Sequence, residues 1–236
     1  MTARIAYLEN GSAPDKFGGI INRMEAAGLV VDQFMAQKLE FPEVLNDYSG
    51  VFLSGSAYGA YEDEEFIHQE HEFLLNAAQK NIPILGVCFG SQILASALCG
   101  KDQVFIRDNC HVGYLPLNLT KEAKEDALLM GVEDNCRMLI WHNDEAKADH
   151  SDMTLLATTE KAPNQIWRYS DKQIWGIQGH PEVNKENAEP WLEDVREFME
   201  KDGLDIDFLA KEFDESGAGA KMIDNFISIC LKNNKI

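Results

Sequence analysis

The chain has 236 residues, of which 45% are hydrophobic and 26% charged, and its formal net charge is −19. This length suits one α/β domain with a modest extension, and the composition is ordinary for a globular protein. The negative charge disfavours nucleic acid or an anionic membrane as partners, because most of the surface would repel their phosphate groups. There is neither a secretory pattern at the N-terminus nor an apolar run of membrane-spanning length, so we expect a cytoplasmic protein.

Strand-like and helix-like patterns alternate over the first hundred residues. The predicted strands are the apolar runs 4–9, 29–34, 50–53 and 83–87. The predicted helices are 16–27, 64–80 and 88–98. Such alternation is typical of a parallel sheet that carries helices on both faces.

The sequence pattern changes near residue 103, where short β-rich runs follow one another. These runs are 112–119, 137–141, 154–157, 165–169 and 173–178. We expect them to continue the sheet with antiparallel strands at its edge. The helices predicted after them are 186–200, 206–213 and 221–231, with a separator at 216–219. We therefore predict a single domain over 1–236, with a core at about 1–185 and a helical C-terminal extension at about 186–236.

The cysteines point away from a disulfide framework or a structural zinc site. They are scattered, odd in number and without CxxC spacing. We expect most of them to be small buried hydrophobic side chains, and we predict no metal and no cofactor. The five are Cys88, Cys99, Cys110, Cys136 and Cys230.

The most informative stretch is Gly86-Val87-Cys88-Phe89-Gly90, a Gly-x-Cys-x-Gly pattern where a predicted strand meets a predicted helix. A nucleophile at such a sharp turn has a strained backbone, and its neighbours two residues away must be small because the chain nearly touches itself. The helix N-terminus also favours a thiolate. We therefore predict that Cys88 is a nucleophile and that the N–H of Phe89 forms half of an oxyanion hole.

A histidine and a carboxylate follow the last predicted strand, in the segment Gly179-His180-Pro181-Glu182. A cysteine nucleophile needs a base, and the base needs a group that orients it. Pro181 restricts both itself and His180, which makes the segment stiff. We therefore predict His180 as the base and Glu182 as the carboxylate that fixes the tautomer and orientation of its imidazole.

Together with the strand-loop Leu53-Ser54-Gly55, these motifs resemble the class I glutamine amidotransferase family over about residues 1–185. Within that family the chain is similar to stand-alone proteins that look like the glutaminase domain of GMP synthase. The resemblance implies a flavodoxin-like fold. It also implies that Cys88 forms a γ-glutamyl thioester and releases ammonia, while His180 shuttles protons and Glu182 orients His180.

The same resemblance implies roles for residues around the substrate. Gly55 matches the family's glycine whose backbone N–H completes the oxyanion hole with that of Phe89. Gln92 matches the position that helps to hold the backbone of glutamine. Trp141 and His142 belong to a Trp-His-Asn-Asp segment, which is similar to one that borders the glutamine pocket.

Two other sets of residues provide alternatives. Cys88 could act with His142 and Asp144, although these two would share one side of a strand without the restraint of the His-Pro-Glu segment. His68 and His71 are three residues apart on a predicted helix. Two histidines at this spacing can bind zinc. A solvent-exposed acidic face of the helix explains the two residues without a metal.

Three functions compete. The leading one is a glutaminase that supplies ammonia to an ammonia-accepting synthase subunit, because the chain has no glycine-rich phosphate-binding motif for acceptor chemistry of its own. The second is a stand-alone γ-glutamyl peptidase or hydrolase that acts on γ-glutamyl conjugates. The third is a non-catalytic regulatory protein, which the complete set of Cys88, His180 and Glu182 argues against. We expect glutamine or a γ-glutamyl compound as the ligand.

Overall fold

The structure is a computed structural model that describes residues 2–11, 19–160, 162–183, 187–201, 203–211 and 217–234. The side chain of Asn109 also falls outside this description. Parts of the predicted helices at 16–27, 186–200 and 206–213 lie outside the described residues.

The described residues form ten strands and seven α-helices. The strands are β1 (Arg4–Glu9), β2 (Val30–Met35), β3 (Gly50–Leu53), β4 (Ile84–Val87), β5 (Val104–Pro116), β6 (Asn118–Leu119), β7 (Arg137–Ala146), β8 (Met153–Thr158), β9 (Ile166–Tyr169) and β10 (Ile174–Ile177). The helices are α1 (Gly19–Ala26), α2 (Glu65–Gln79), α3 (Phe89–Cys99), α4 (Ala188–Asp194), α5 (Arg196–Lys201), α6 (Ile206–Leu209) and α7 (Ala218–Lys232). None of these helices is long and apolar enough to cross a membrane.

An eight-stranded sheet forms the centre, in the order β2-β1-β3-β4-β10-β9-β8-β6. The first five strands in this order are parallel, and β9, β8 and β6 continue the sheet through antiparallel pairs. The predicted α/β fold is confirmed: a mostly parallel, flavodoxin-like sheet with antiparallel edge strands. Because β3, β4 and β10 are adjacent and parallel, the residues that follow these strands meet at one edge of the sheet.

β5 and β7 depart from the prediction, because they form a separate two-stranded antiparallel sheet instead of continuing the main one. β5 begins at Val104 rather than at residue 112, and β7 continues to Ala146 rather than ending at residue 141. The added segments are rich in polar residues, so a search for apolar runs does not find them. Residues 104–106 pair with 144–146 and His111 pairs with His142, with a shift in register between Ile106 and His111. Only folding brings these two segments together. We call this pair the β5–β7 arm.

Two apolar layers cover the faces of the main sheet. The alternation of side chains along β1 separates them. Ile5 and Tyr7 belong to the layer that includes residues of α1 and α7, whereas Ala6 and Leu8 belong to the layer that includes residues of α2 and α3. The last long helix, α7, is part of the first layer, where Phe226 has no exposed surface.

The C-terminal segment departs from the prediction in two ways. Its described part contains four helices instead of three, and the predicted separator at 216–219 includes Ala218, where α7 begins. The short helices α4, α5 and α6 pack in a cluster of their own with Val112 and Trp141 of the β5–β7 arm, whereas α7 packs in the core. An amphipathic pattern shows that a helix has a buried face but not which surface it covers. The division into a core at about 1–185 and an extension at about 186–236 stays a prediction.

Replacing Phe226 with alanine should destabilise the fold by about 3–5 kcal/mol, because the substitution leaves a cavity in a fully buried layer. The free energy of unfolding from urea denaturation measures this loss. The matched control is Phe208→Ala on α6, where the residue is 57% exposed. Its loss should stay within about 0.5 kcal/mol. Equal losses in the two variants would contradict the placement of α7 in the core.

Candidate active site

The junction of β4 and α3 holds Cys88 in a strained backbone conformation, with φ 53° and ψ −111°. A positive φ is uncommon for a residue with a side chain and persists only when the surrounding structure maintains it. The N–H of Cys88 donates to the carbonyl of Ile177 at 2.8 Å, and its own carbonyl accepts from the N–H groups of Ser91 and Gln92. These bonds anchor the turn to β10 on one side and to α3 on the other, as in a nucleophile elbow.

The glycines on either side of Cys88 are required by close backbone contacts. A Cβ atom on Gly86 would overlap the carbonyl group of Gly90. A Cβ atom on Gly90 would lie 2.5 Å from the carbonyl oxygen of Leu53 at the end of β3. The predicted need for small neighbours thus has a specific cause, since the turn touches both itself and the adjacent strand.

His180 and Glu182 lie in the loop after β10, with His180 Nδ1 and Glu182 Oε1 2.7 Å apart. His180 is buried, and burial alone would lower the pKa of its imidazole. The negative charge of Glu182 and the hydrogen bonds to Cys88 and Glu182 outweigh burial, so the pKa of His180 lies well above its ordinary value. This arrangement favours a protonated imidazole that faces the thiol on one side and a carboxylate on the other.

Gly55 and Phe89 lie next to Cys88, and their role as the two backbone donors stays a prediction. A Cβ atom on Gly55 would lie 3.6 Å from Cys88 Cβ and 3.9 Å from His180 Cε1. Phe89 is the first residue of α3, where backbone N–H groups have no acceptor one turn earlier in the helix. An oxyanion beside Cys88 would therefore meet two backbone segments that can donate hydrogen bonds.

The β5–β7 arm reaches the candidate site through Trp141. Its carbonyl oxygen is 3.9 Å from Cys88 Sγ and 3.4 Å from His180 Nε2. Gln92 connects α3 to the same arm, because its side-chain Nε2 donates to the carbonyl of Asp144 at 2.9 Å. The predicted role of Gln92 in holding glutamine stays a prediction, and in this structure its amide joins two parts of the protein.

The alternative pair of His142 and Asp144 lacks the geometry of a triad. His142 is buried against the ring of His111, with ring centroids 5.4 Å apart, and burial lowers its pKa to about 3. Neither ring nitrogen of His142 has a hydrogen-bond partner among the described residues. Asp144 instead lies within reach of the Tyr61 hydroxyl, and burial raises the pKa of its carboxyl group. No carboxylate in the described part of the chain orients His142.

His68 and His71 do not share a ligand in this structure. His68 Nε2 is 2.8 Å from Asp63 Oδ1 at the surface. His71 is partly buried, and burial lowers its pKa to about 4. Within the described ranges, no group of three or more His, Cys, Asp or Glu side chains is arranged to hold a metal ion.

Trp191 is a residue of the candidate site that sequence reasoning missed. Its ring centroid is 5.1 Å from that of His180 and 5.8 Å from that of Trp141. The residue belongs to the short helix α4, whose amphipathic pattern does not reveal the surface it covers. A tryptophan soon after the His-Pro-Glu segment is the one signal in the sequence that points to this position.

Close backbone contacts also enclose the His-Pro-Glu loop. A Cβ atom on Gly179 would lie 2.8 Å from the carbonyl oxygen of Leu139, and the N–H of His180 donates to that oxygen at 2.8 Å. A Cβ atom on Gly219, near the start of α7, would lie 2.5 Å from the carbonyl oxygen of Pro181. The loop is thus held between the β5–β7 arm and α7, which limits the movement of His180.

The fold is that of a glutamine amidotransferase. The crystal structure of a glutamine amidotransferase from Thermotoga maritima superposes with a TM-score of 0.81 and 24% sequence identity, over 97% of each chain. This likeness establishes the fold alone. The model of the family described as glutamine amidotransferase class-I matches residues 18–195. The chain therefore belongs to the class I glutamine amidotransferase family.

Relatives with different activities match this chain. A GMP synthase (glutamine-hydrolyzing) from Porphyromonas gingivalis is 27% identical over 216 residues, which cover 92% of this chain and 40% of the relative. Gamma-glutamyl peptidase 4 from Arabidopsis thaliana is 30% identical over 159 residues, which cover 66% of this chain and 62% of the relative. The chain thus spans about two fifths of the length of the GMP synthase that it matches.

Replacing Glu182 with glutamine should lower the pKa of His180, because the amide removes the negative charge that favours the imidazolium form. The titration of the His180 ring protons, followed by NMR, measures the change. The matched control is Glu189→Gln, which removes an exposed carboxylate of α4 and should leave the pKa of His180 unchanged.

The same pair of variants has a predictable effect on stability. A raised histidine pKa stabilises the fold below the ordinary value of about 6.5, and this contribution is lost as the pH rises through the raised value. Glu182→Gln should therefore cost more free energy of unfolding in mildly acidic solution than above the raised pKa. A loss that does not depend on pH would contradict the charge interaction.

Proposed function

We propose that Cys88, His180 and Glu182 hydrolyse the side-chain amide of glutamine or of a γ-glutamyl compound. Cys88 Sγ transfers its proton to His180 and attacks the amide carbon. His180 then donates that proton to the amide nitrogen, which leaves as ammonia or an amine when the C–N bond breaks. Water attacks the γ-glutamyl thioester while His180 accepts a proton from the water and returns it to Cys88 Sγ, so that the C–S bond breaks and glutamate is released. The observation that carries the proposal is the strained Cys88 beside a buried imidazole that is paired with a carboxylate.

The negative charge on the intermediate needs donors that are already in place. The backbone N–H groups of Gly55 and Phe89 are proposed as these donors, because both residues border Cys88. Gln92, Trp141 and His142 are proposed to border the substrate. Of these, Trp141 has the most direct support, since its carbonyl lies beside both Cys88 and His180.

The leading candidate is a glutaminase whose ammonia is used by another protein. The GMP synthase relative is named as glutamine-hydrolysing, and 40% of its length matches this chain. The 236 residues contain no glycine-rich phosphate-binding motif that would serve acceptor chemistry. An ammonia-accepting synthase subunit is the proposed partner.

The second candidate is a stand-alone γ-glutamyl hydrolase, and a relative named gamma-glutamyl peptidase supports it. Both candidates share the thioester and differ in the group that leaves with nitrogen. A non-catalytic protein is the third candidate, but a binding role does not require a strained cysteine next to a buried His-Glu pair.

A glutamine-mimicking electrophile should label Cys88, because its thiol lies beside His180 and at a helix N-terminus. Mass spectrometry locates the adduct. Cys88→Ala should abolish turnover, whereas Cys99→Ala at the other end of the same helix should retain it. Full turnover by Cys88→Ala would exclude the mechanism.

The histidine variants extend the same experiment to the base. His180→Ala should lower the rate of acylation by about 10³-fold or more, as the removal of a triad base does. His142→Ala is the matched comparison, since its imidazole is buried nearby without a carboxylate partner among the described residues. A larger loss in His142→Ala than in His180→Ala would support the alternative triad.

A substrate panel separates the two catalytic candidates. The purified chain should hydrolyse glutamine slowly on its own, because ammonia-supplying members of such a family act under the control of a partner, or it should prefer a γ-glutamyl peptide. The measurement is the release of ammonia and of glutamate from saturating glutamine, beside the cleavage of a set of γ-glutamyl dipeptides. Rapid unassisted turnover of glutamine would contradict control by a partner, and rapid turnover of a dipeptide would favour the stand-alone hydrolase.

A further inference from the structure

A buried polar cluster lies beneath the peptide that joins Ser54 to Gly55. We call its four members, Glu9, Asn10, Ser54 and Glu70, the loop-support cluster, and each is less than 9% exposed. Ser54 Oγ donates to Glu9 Oε1 at 2.7 Å and accepts from the N–H of Asn10 at 2.8 Å. The cluster thus joins the end of β1 to the residue that follows β3.

The side-chain amide of Asn10 contacts the Ser54–Gly55 peptide directly. Asn10 Nδ2 lies 3.4 Å from the carbonyl oxygen of Ser54 and 3.2 Å from Glu70 Oε1, in positions to donate to both. The carbonyl of Ser54 and the N–H of Gly55 belong to one planar trans peptide, so they point in opposite directions. A bond to the carbonyl therefore limits the direction in which the N–H of Gly55 points.

Glu70 lies on α2, and its carboxyl group is fully buried and accepts a hydrogen bond from Asn10. Burial raises its pKa to about 8, and the hydrogen bond from Asn10 opposes that shift. Glu70 Oε2 and Asn10 Oδ1 are both buried acceptors without a hydrogen-bond partner among the described residues. When Glu70 is protonated, its carboxylic acid has an O–H group that can donate a hydrogen bond. The acid and the Asn10 amide can then form two hydrogen bonds, because each group has one donor and one acceptor for the other.

We propose that Glu70, as a neutral carboxylic acid, is a positioning residue that holds the Asn10 amide and, through it, the Ser54–Gly55 peptide. The inference rests on the proposed function, in which the N–H of Gly55 stabilises the oxyanion. Glu70 touches no reacting atom. It acts on the transition state through the orientation of one peptide plane.

The test compares two substitutions of Glu70. Glu70→Gln keeps one acceptor and one donor in the same shape, so turnover should stay within about twofold of wild type. Glu70→Leu keeps the volume and removes both polar atoms, so kcat should fall by about 10²-fold with little change in KM, as a small displacement of an aligned group can cause. Glu72→Leu on the exposed face of α2 is the matched control and should behave as wild type.

A second readout separates positioning from general damage. Alkylation of Cys88 by iodoacetamide requires a reactive thiolate but no oxyanion hole, so its rate should be the same in Glu70→Leu and wild type. Hydrogen exchange of the peptide that spans residues 54–59 should be faster in Glu70→Leu and unchanged in Glu70→Gln. Should Glu70→Leu fail to fold, Asn10→Ala removes the same contact to the Ser54 carbonyl and should give the same pattern.

The measurements test the positioning role of Glu70 separately from the proposed function. Wild-type kcat and wild-type exchange in Glu70→Leu would overturn the positioning role, as would a parallel loss of Cys88 alkylation. A loss of turnover in Glu70→Gln as large as that in Glu70→Leu would also overturn the positioning role. If wild type cleaves no γ-glutamyl compound, the proposed function fails, and hydrogen exchange alone then tells whether Glu70 holds the loop.

Discussion

The candidate site depends on the positive φ of Cys88 at the end of β4. That conformation persists because Gly86 and Gly90 allow the turn to contact itself and the end of β3. The same contact brings the loop that contains Gly55 beside the thiol. A Cβ atom on Gly90 would overlap the end of β3, and one on Gly86 would overlap the start of α3. These steric constraints together set the relation between the cysteine and the proposed oxyanion donors.

Burial and charge act together on the other half of the site. The β5–β7 arm, α4 and α7 surround the His-Pro-Glu loop, and this enclosure removes His180 from water. Enclosure by itself would favour a neutral imidazole, but in surroundings of low polarity the charge of Glu182 has a larger effect than it would at the surface. The position of His180 is consequently restrained, and its raised pKa favours the protonated imidazole.

The chain belongs to the class I glutamine amidotransferase family, but this membership does not identify its substrate. In the proposed mechanism, both catalytic candidates form the same γ-glutamyl thioester, and they differ in the group carried by the nitrogen of the amide. The rings of Trp141 and Trp191 both contact that of His180, where the β5–β7 arm and α4 meet.

Features that depend on local backbone requirements could be predicted from the amino-acid sequence. They are the glycines around Cys88, the stiff His-Pro-Glu segment and the alternation of strands and helices, each of which reflects a short-range steric or periodic requirement. The pairing of β5 with β7, the burial of α7 in the core and the approach of Trp191 to His180 depend on contacts between distant residues, so they became visible only in the folded chain. The same holds for Glu70, because its helix has a polar, amphipathic sequence and its hydrogen-bond partner is Asn10, which follows β1 and is 60 residues away. Periodicity shows that a face is buried, but the partner of that face is set by long-range packing.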